Sequence, residues 1–148
     1  MPQVQVDGLS INYDVQGEGD PLLLIPYLSA DHACYAFQLP AYTEHFSCIA
    51  IDLPGTGESD KPPGPYSTAA YAEQVAGFLG AIGIESAHVA GVSLGAGVAM
   101  HLAARHPERT RCGWPAARCM AIAAPSETPA TCADSIPMAP RKPATCSA

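Results

Sequence analysis

Apolar residues near the start of the chain alternate with polar ones. Val4 and Val6 form one such run, and Leu9, Ile11, Tyr13 and Val15 form another, with Asp7-Gly8 between them. A period of two marks a strand with one buried face, and Asp-Gly is among the strongest hairpin turns. Gly17-Glu18-Gly19-Asp20 makes a further turn. The period then disappears: Leu22, Leu23, Leu24 and Ile25 are continuous, as in a strand buried on both faces of a parallel sheet. Residues 31–45 carry Phe37, Leu39 and Tyr42 and predict a helix interrupted by Pro40. Residues 46–51 predict a second buried strand, and the Gly- and Pro-rich stretch 52–65 a loop. Val75, Phe78, Leu79 and Ile82 fall at helical spacing within 67–82, and Gly83 suits a helix stop. Residues 86–90 predict a third buried strand, and 94–106 a helix ended by Pro107. A hairpin followed by alternating strands and helices predicts an α/β fold: a mostly parallel twisted sheet with an N-terminal antiparallel hairpin and helices on both faces.

The pattern stops near residue 110. Residues 111–148 contain no Leu, Val, Phe or Tyr, yet hold four of the six Cys and six of the fifteen Pro. Such a segment lacks the residues that build long strands or helices. The expected organisation is therefore a folded part, 1–110, and an irregular Pro/Ala/Cys-rich tail, 111–148. The sudden change of composition is that of a GC-rich gene read out of frame, so a truncated or frameshifted chain is expected. Coding DNA with no apolar, strand-like run in a shifted frame past codon 110 refutes that expectation.

Charge narrows the partners. The whole chain has a net charge of −7, and residues 1–110 carry 3 Lys+Arg against 12 Asp+Glu. That argues against nucleic-acid and anionic-membrane binding. No apolar run approaches the ~20 residues a membrane span needs. The first residues have neither the positive patch nor the apolar core of a secretory signal, so the expected location is the cytoplasm. The cysteines form no C-x-x-C pair and no zinc-finger spacing, so no metal is expected.

The chemistry gathers at Gly91-Val92-Ser93-Leu94-Gly95. A serine hydroxyl is a weak nucleophile and needs a base and exposure. A sharp turn from strand to helix lifts the side chain above the sheet edge and aims it at a helix N-terminus, where free N–H groups favour negative charge. The neighbours two positions away must then be small, and Gly91 and Gly95 are. The Leu94 N–H is placed to meet a developing oxyanion.

Several runs, in order, make residues 3–110 resemble the α/β-hydrolase fold family. Leu22-Leu23-Leu24-Ile25-Pro26 resembles its third strand. Asp52-Leu53-Pro54-Gly55-Thr56-Gly57-Glu58-Ser59-Asp60-Lys61-Pro62 resembles its D-x-x-G-x-G-x-S-D-x-P loop, in which Asp52 and Ser59 are structural. The Ser93 turn resembles its nucleophile elbow, and His106-Pro107-Glu108-Arg109 the end of the following helix. The resemblance implies an incomplete α/β-hydrolase fold with relatives among esterases, enol-lactone hydrolases and C–C bond hydrolases. It implies no cofactor. Serine at the elbow speaks against dehalogenases and epoxide hydrolases, which use Asp. By position, Leu28 supplies the second oxyanion N–H. Tyr27 stands where relatives have Gly, and either restricts that turn or lines a pocket.

Family members complete their site with an acid and then a His, both after the nucleophile. Here the last His are His101 and His106, roughly 12 and 20 Å along the following helix, leading away from Ser93. His32, in the loop after the third strand, is the better candidate base. Two readings of function follow. In one, the chain is a serine hydrolase (an esterase or lactonase) acting on small-molecule carboxylic esters or lactones through Ser93. In the other, it is a catalytically inactive hydrolase fragment that binds a small apolar ligand or self-associates through an exposed sheet edge.

Overall fold

The computed structural model describes residues 1–111 and the backbone of Met120–Ile122. Strands β1 (Gln3–Val6) and β2 (Leu9–Gln16) form the expected hairpin. Val6 faces Leu9, and the two residues between them, Asp7 and Gly8, both have positive φ, at 48° and 81°. That backbone matches the twist of the flanking strands and suits an Asp-Gly pair.

Among the described residues the sheet has six strands, adding β3 (Asp20–Ile25), β4 (Phe46–Ile51), β5 (His88–Val92) and β6 (Met120–Ile122), in the order β1-β2-β4-β3-β5-β6. β2 is antiparallel to β4, whereas β4, β3, β5 and β6 run parallel. β3 lies between β4 and β5, which explains its unbroken apolar run. Leu23 and Ile25 point into one buried cluster with Ile49, Phe78, Val98 and Leu102, while Leu22 and Leu24 point into another with Tyr35, Leu39, Tyr42 and Phe46. Burying one such side chain contributes ~1.5–3 kcal/mol, so a charged residue at any of positions 22–25 would be strongly destabilising.

Helices cover both faces. On the first lie α2 (Thr68–Ala81) and α3 (Leu94–Arg105). Ser67 caps α2 by accepting the Ala70 N–H at 3.1 Å, and Gly83, at φ 76°, follows its end. Glu73 on α2 binds both Arg105 (3.0 Å) and His106 (2.8 Å) at the end of α3. On the other face the expected helix over 31–45 is two shorter pieces: a 3-10 turn, His32–Tyr35, and the four-residue α1, Leu39–Tyr42. Pro40 has no N–H to donate and is tolerated only in a first turn, so α1 begins immediately before it. Asp31 closes the earlier turn by accepting the Ala33 N–H at 3.0 Å.

The third buried strand also differs from expectation. It is shifted two residues along, His88–Val92 rather than 86–90, because Ile25 pairs with Gly91 and carries the ladder to the edge of the turn. After α3 the chain returns beside β5. Thr110 bridges Ala87, and Arg111 binds Asp20 at 2.7 Å. The expected irregular tail lies outside the described residues, apart from Arg111 and the backbone of β6, a short pairing that composition did not announce. Among the described residues, no helix is long and apolar enough to cross a membrane.

Candidate active site

In the sheet's parallel part, β4, β3 and β5 all end at one edge, the usual location of ligand sites in such sheets. Asp52 follows β4, the loop 26–31 follows β3, and Ser93 follows β5.

Ser93 stands between β5 and α3 with φ 53° and ψ −112°. That region is costly for any residue with a Cβ. Its surroundings hold it there. A Cβ on Gly91 would overlap Gly95 O and lie 2.8 Å from Ala96 N. A Cβ on Gly95 would overlap Ile25 O and lie 2.7 Å from Pro26 O. Strand, helix and the end of β3 therefore meet at backbone distance, which only glycine permits.

A serine before a helix ordinarily caps it with its own hydroxyl. Ser93 makes no such bond. Its carbonyl accepts from Ala96 N (3.0 Å) and Gly97 N (3.2 Å), and its side chain is exposed. Among the described residues the hydroxyl is therefore uncommitted, at a helix N-terminus. Leu94 is the first residue of α3, so its N–H has no partner within the helix.

The loop after β3 carries Tyr27 and Leu28, with exposures of 47% and 68%. Ala30 N donates to Tyr27 O at 3.1 Å and closes a turn. The positive φ in that turn falls on Ser29, at 63°. Tyr27 thus takes the place of a glycine without left-handed strain, and its half-exposed ring lies at the sheet edge. Among the described residues, neither Leu28 N nor Leu94 N donates a hydrogen bond. Tyr35, buried, donates its hydroxyl to Ile25 O at 2.7 Å, pinning the carbonyl that faces Gly95.

His32 is tied to Asp52. Its backbone N and ring Nδ1 both lie against Asp52 Oδ1, at 2.7 and 2.8 Å. Asp52 is fully buried, and its Oδ2 accepts from Asn12 Nδ2 (2.8 Å) and Glu58 N (3.0 Å). Burial pushes its carboxyl up, but the bonds from Glu58 N, His32 N, the Asn12 amide and the His32 ring outweigh that and hold it below its ordinary range. The loop motif pointed to a structural Asp52. Its partner, twenty residues earlier, left no mark in the spacing.

Other side chains are accounted for elsewhere. His106 belongs to the α2–α3 contact, and His88 packs edge-on against Phe46. Cys34 is no rival nucleophile: burial first, partly offset by a bond from the Tyr27 backbone, pushes its thiol up to about 11. Among the described residues, no His or carboxylate hydrogen-bonds Ser93, and no group of three or more His, Cys, Asp or Glu is arranged to hold a metal.

A family model described as alpha/beta hydrolase fold matches residues 20–130. A 2-hydroxymuconate semialdehyde hydrolase of Pseudomonas putida is 37% identical over 118 residues, covering 74% of this chain and 40% of the relative. Among solved structures, a membrane phospholipase A described as a bacterial virulence factor shares 41% identity at a TM-score of 0.71, over 74% of this chain and 36% of its own. The enol-lactonase of Burkholderia xenovorans LB400 shares 31% at a TM-score of 0.71, over 74% and 44%. The chain spans less than half the length of the curated relatives it matches.

Proposed function

The chain belongs to the alpha/beta hydrolase fold family, and from that membership we propose that Ser93 is the nucleophile of a hydrolase acting on small-molecule carboxylic esters or lactones. The observation that carries this reading is the Ser93 backbone. A strained φ of 53°, bought by two glycines, presents a hydroxyl that caps nothing. Strained backbone of this kind clusters at active sites. The relatives named as a phospholipase and an enol-lactonase support the substrate class.

In this reading Ser93 Oγ attacks the carbonyl carbon and its proton passes to a base. The carbonyl oxygen becomes an oxyanion held by the Leu94 and Leu28 N–H groups and the positive end of α3. The tetrahedral species expels the alcohol, which leaves protonated, and water then releases the acid from the acyl-serine. Tyr27 lines the approach. The base lies outside the hydrogen-bond partners seen among residues 1–111. An oxyanion hole and binding alone still leave ~10³–10⁴-fold over water.

A second reading, a non-catalytic fragment, draws on the lack of a His or carboxylate partner for Ser93 among the described residues. Its sheet would associate through an edge strand, as unpaired edges do. A fluorophosphonate probe separates the two readings. The first expects labelling at Ser93, located by peptide mass spectrometry and lost in Ser93→Ala. An unlabelled wild-type chain, or labelling that survives Ser93→Ala, rejects it.

A further inference from the structure

We infer that His32 is a positioning residue: clamped to Asp52 at both ring and backbone, it holds the loop carrying Leu28 in register with Ser93. The inference rests on the reading of Ser93 as nucleophile and Leu28 as oxyanion donor.

Asp52 is a fixed point. Its two oxygens receive four donors, two from His32 and one each from Asn12 and Glu58, which fills a carboxylate's acceptor sites. Its backbone is equally held. Asp52 N donates to Asn12 O at 2.9 Å, and Ser59 Oγ donates to Asp52 O at 2.7 Å. Asn12 N in turn donates to that same Ser59 Oγ at 2.8 Å. Gly57 wraps so closely that a Cβ there would overlap Oδ2.

His32 carries that rigidity into the loop. An ionised carboxylate only accepts, so Nδ1 is the protonated ring nitrogen. The loop before His32 is fastened at both ends. At its start, Ile25 pairs with Gly91 and accepts from Tyr35; at its end, His32 is gripped twice by one oxygen. Leu28 sits midway, in a turn closed by Ala30 N to Tyr27 O, with the Cys34 thiol also bonded to the Tyr27 backbone. From the β4 side, among the described residues, the bonds that reach this loop are those of His32 to Asp52, so its placement follows His32. An oxyanion donor acts only within a few tenths of an ångström of its proper distance.

The structure gives His32 no hydrogen bond to Ser93, which separates positioning from service as the base. Asparagine tests the difference. Its Nδ2 reaches close to the place of Nδ1 and can donate to Asp52, yet it cannot accept a proton. The experiment uses the full chain and its His32→Ala and His32→Asn variants. The fluorophosphonate labelling of Ser93 is resolved into a probe-binding step and a bond-forming step. His32→Ala is expected to slow bond formation about 10²-fold, the size of a donor misplaced by ~1 Å, with probe binding little changed. His32→Asn is expected to recover most of that loss. Labelling of His32→Ala at the wild-type rate overturns the inference. Equal loss in both variants also overturns it and makes His32 the base. Should His32→Ala not fold, the Asn variant decides alone, fast labelling supporting positioning and slow labelling rejecting it. A wild-type chain that takes no label rejects the underlying reading and this inference with it.

Discussion

Gly95→Ala strikes the contact on which the elbow depends. A Cβ there overlaps Ile25 O and lies 2.7 Å from Pro26 O and 2.8 Å from Ile25 C. Carbon contacts settle near 3.5–4.0 Å, so helix and strand must part by roughly 1 Å. Every obstacle is backbone. Ile25 is paired to Gly91, and its carbonyl is pinned by Tyr35, so no rotamer relieves the clash. Overpacking costs ~1–3 kcal/mol, and here the upper end applies. Alanine returns about 1 kcal/mol through its better helix propensity. The net is a loss of about 2 kcal/mol, on the order of 10 °C in Tm for a folded unit of this size. Gly97, in the same helix, is the control. Its Cβ meets only the Thr68 side chain, Cγ2 at 3.0 Å, which can yield. The propensity gain then roughly cancels the crowding, and Gly97→Ala should fall within about 0.5 kcal/mol of wild type. Urea and thermal unfolding followed by far-UV circular dichroism measure both. If Gly95→Ala is as stable as wild type, or no worse than Gly97→Ala, the packing argument for the elbow fails.

Two further substitutions probe strain and charge. Ser93→Gly relieves a backbone strain of ~1–3 kcal/mol against a glycine entropy cost of ~0.5–1 kcal/mol, so it should unfold at a higher temperature than Ser93→Ala, which keeps the Cβ; equal melting points would contradict the strain. Asp52 has its carboxyl held below the usual range, so the unfolded chain takes up that proton first. Its contribution is complete above the ordinary value near 4 and is lost as pH falls below it. Asp52→Asn should lower stability at neutral pH by about 2–4 kcal/mol, because each oxygen serves two donors and two of the four now meet an amide N–H, and should flatten the acid limb of the stability profile. Parallel wild-type and variant slopes below about pH 4 would rule this out.

Much of the fold was legible because period and burial coincide. β3 is apolar from Leu22 to Ile25, where both its faces are covered, and the Asp7-Gly8 hairpin follows from two positive φ angles. The elbow was legible because steric demands at Gly91 and Gly95 leave glycine as the answer. The segment 31–45 misled, since Phe37, Leu39 and Tyr42 suggest one helix while Pro40 and the Asp31 cap divide it. Phe37 is in fact almost wholly exposed, so its apolar character carried no information about packing. The His32–Asp52 pair joins two loops across the sheet edge, and such pairs have no period to betray them.

The position of β3 bears on the order in which this chain folds. Leu22 pairs with Cys48 on one side and His88 on the other. The first ladder closes over a short stretch of chain, whereas the second must wait until α2 has been laid across the sheet. Pairings of large sequence separation form late, because loop closure precedes their reward. Ser93 lies at the far end of that late ladder. Contacts absent from a folding transition state govern the rate of unfolding more than the rate of folding. Damage at the elbow should therefore shorten the lifetime of the folded chain while leaving the speed of its formation nearly unchanged.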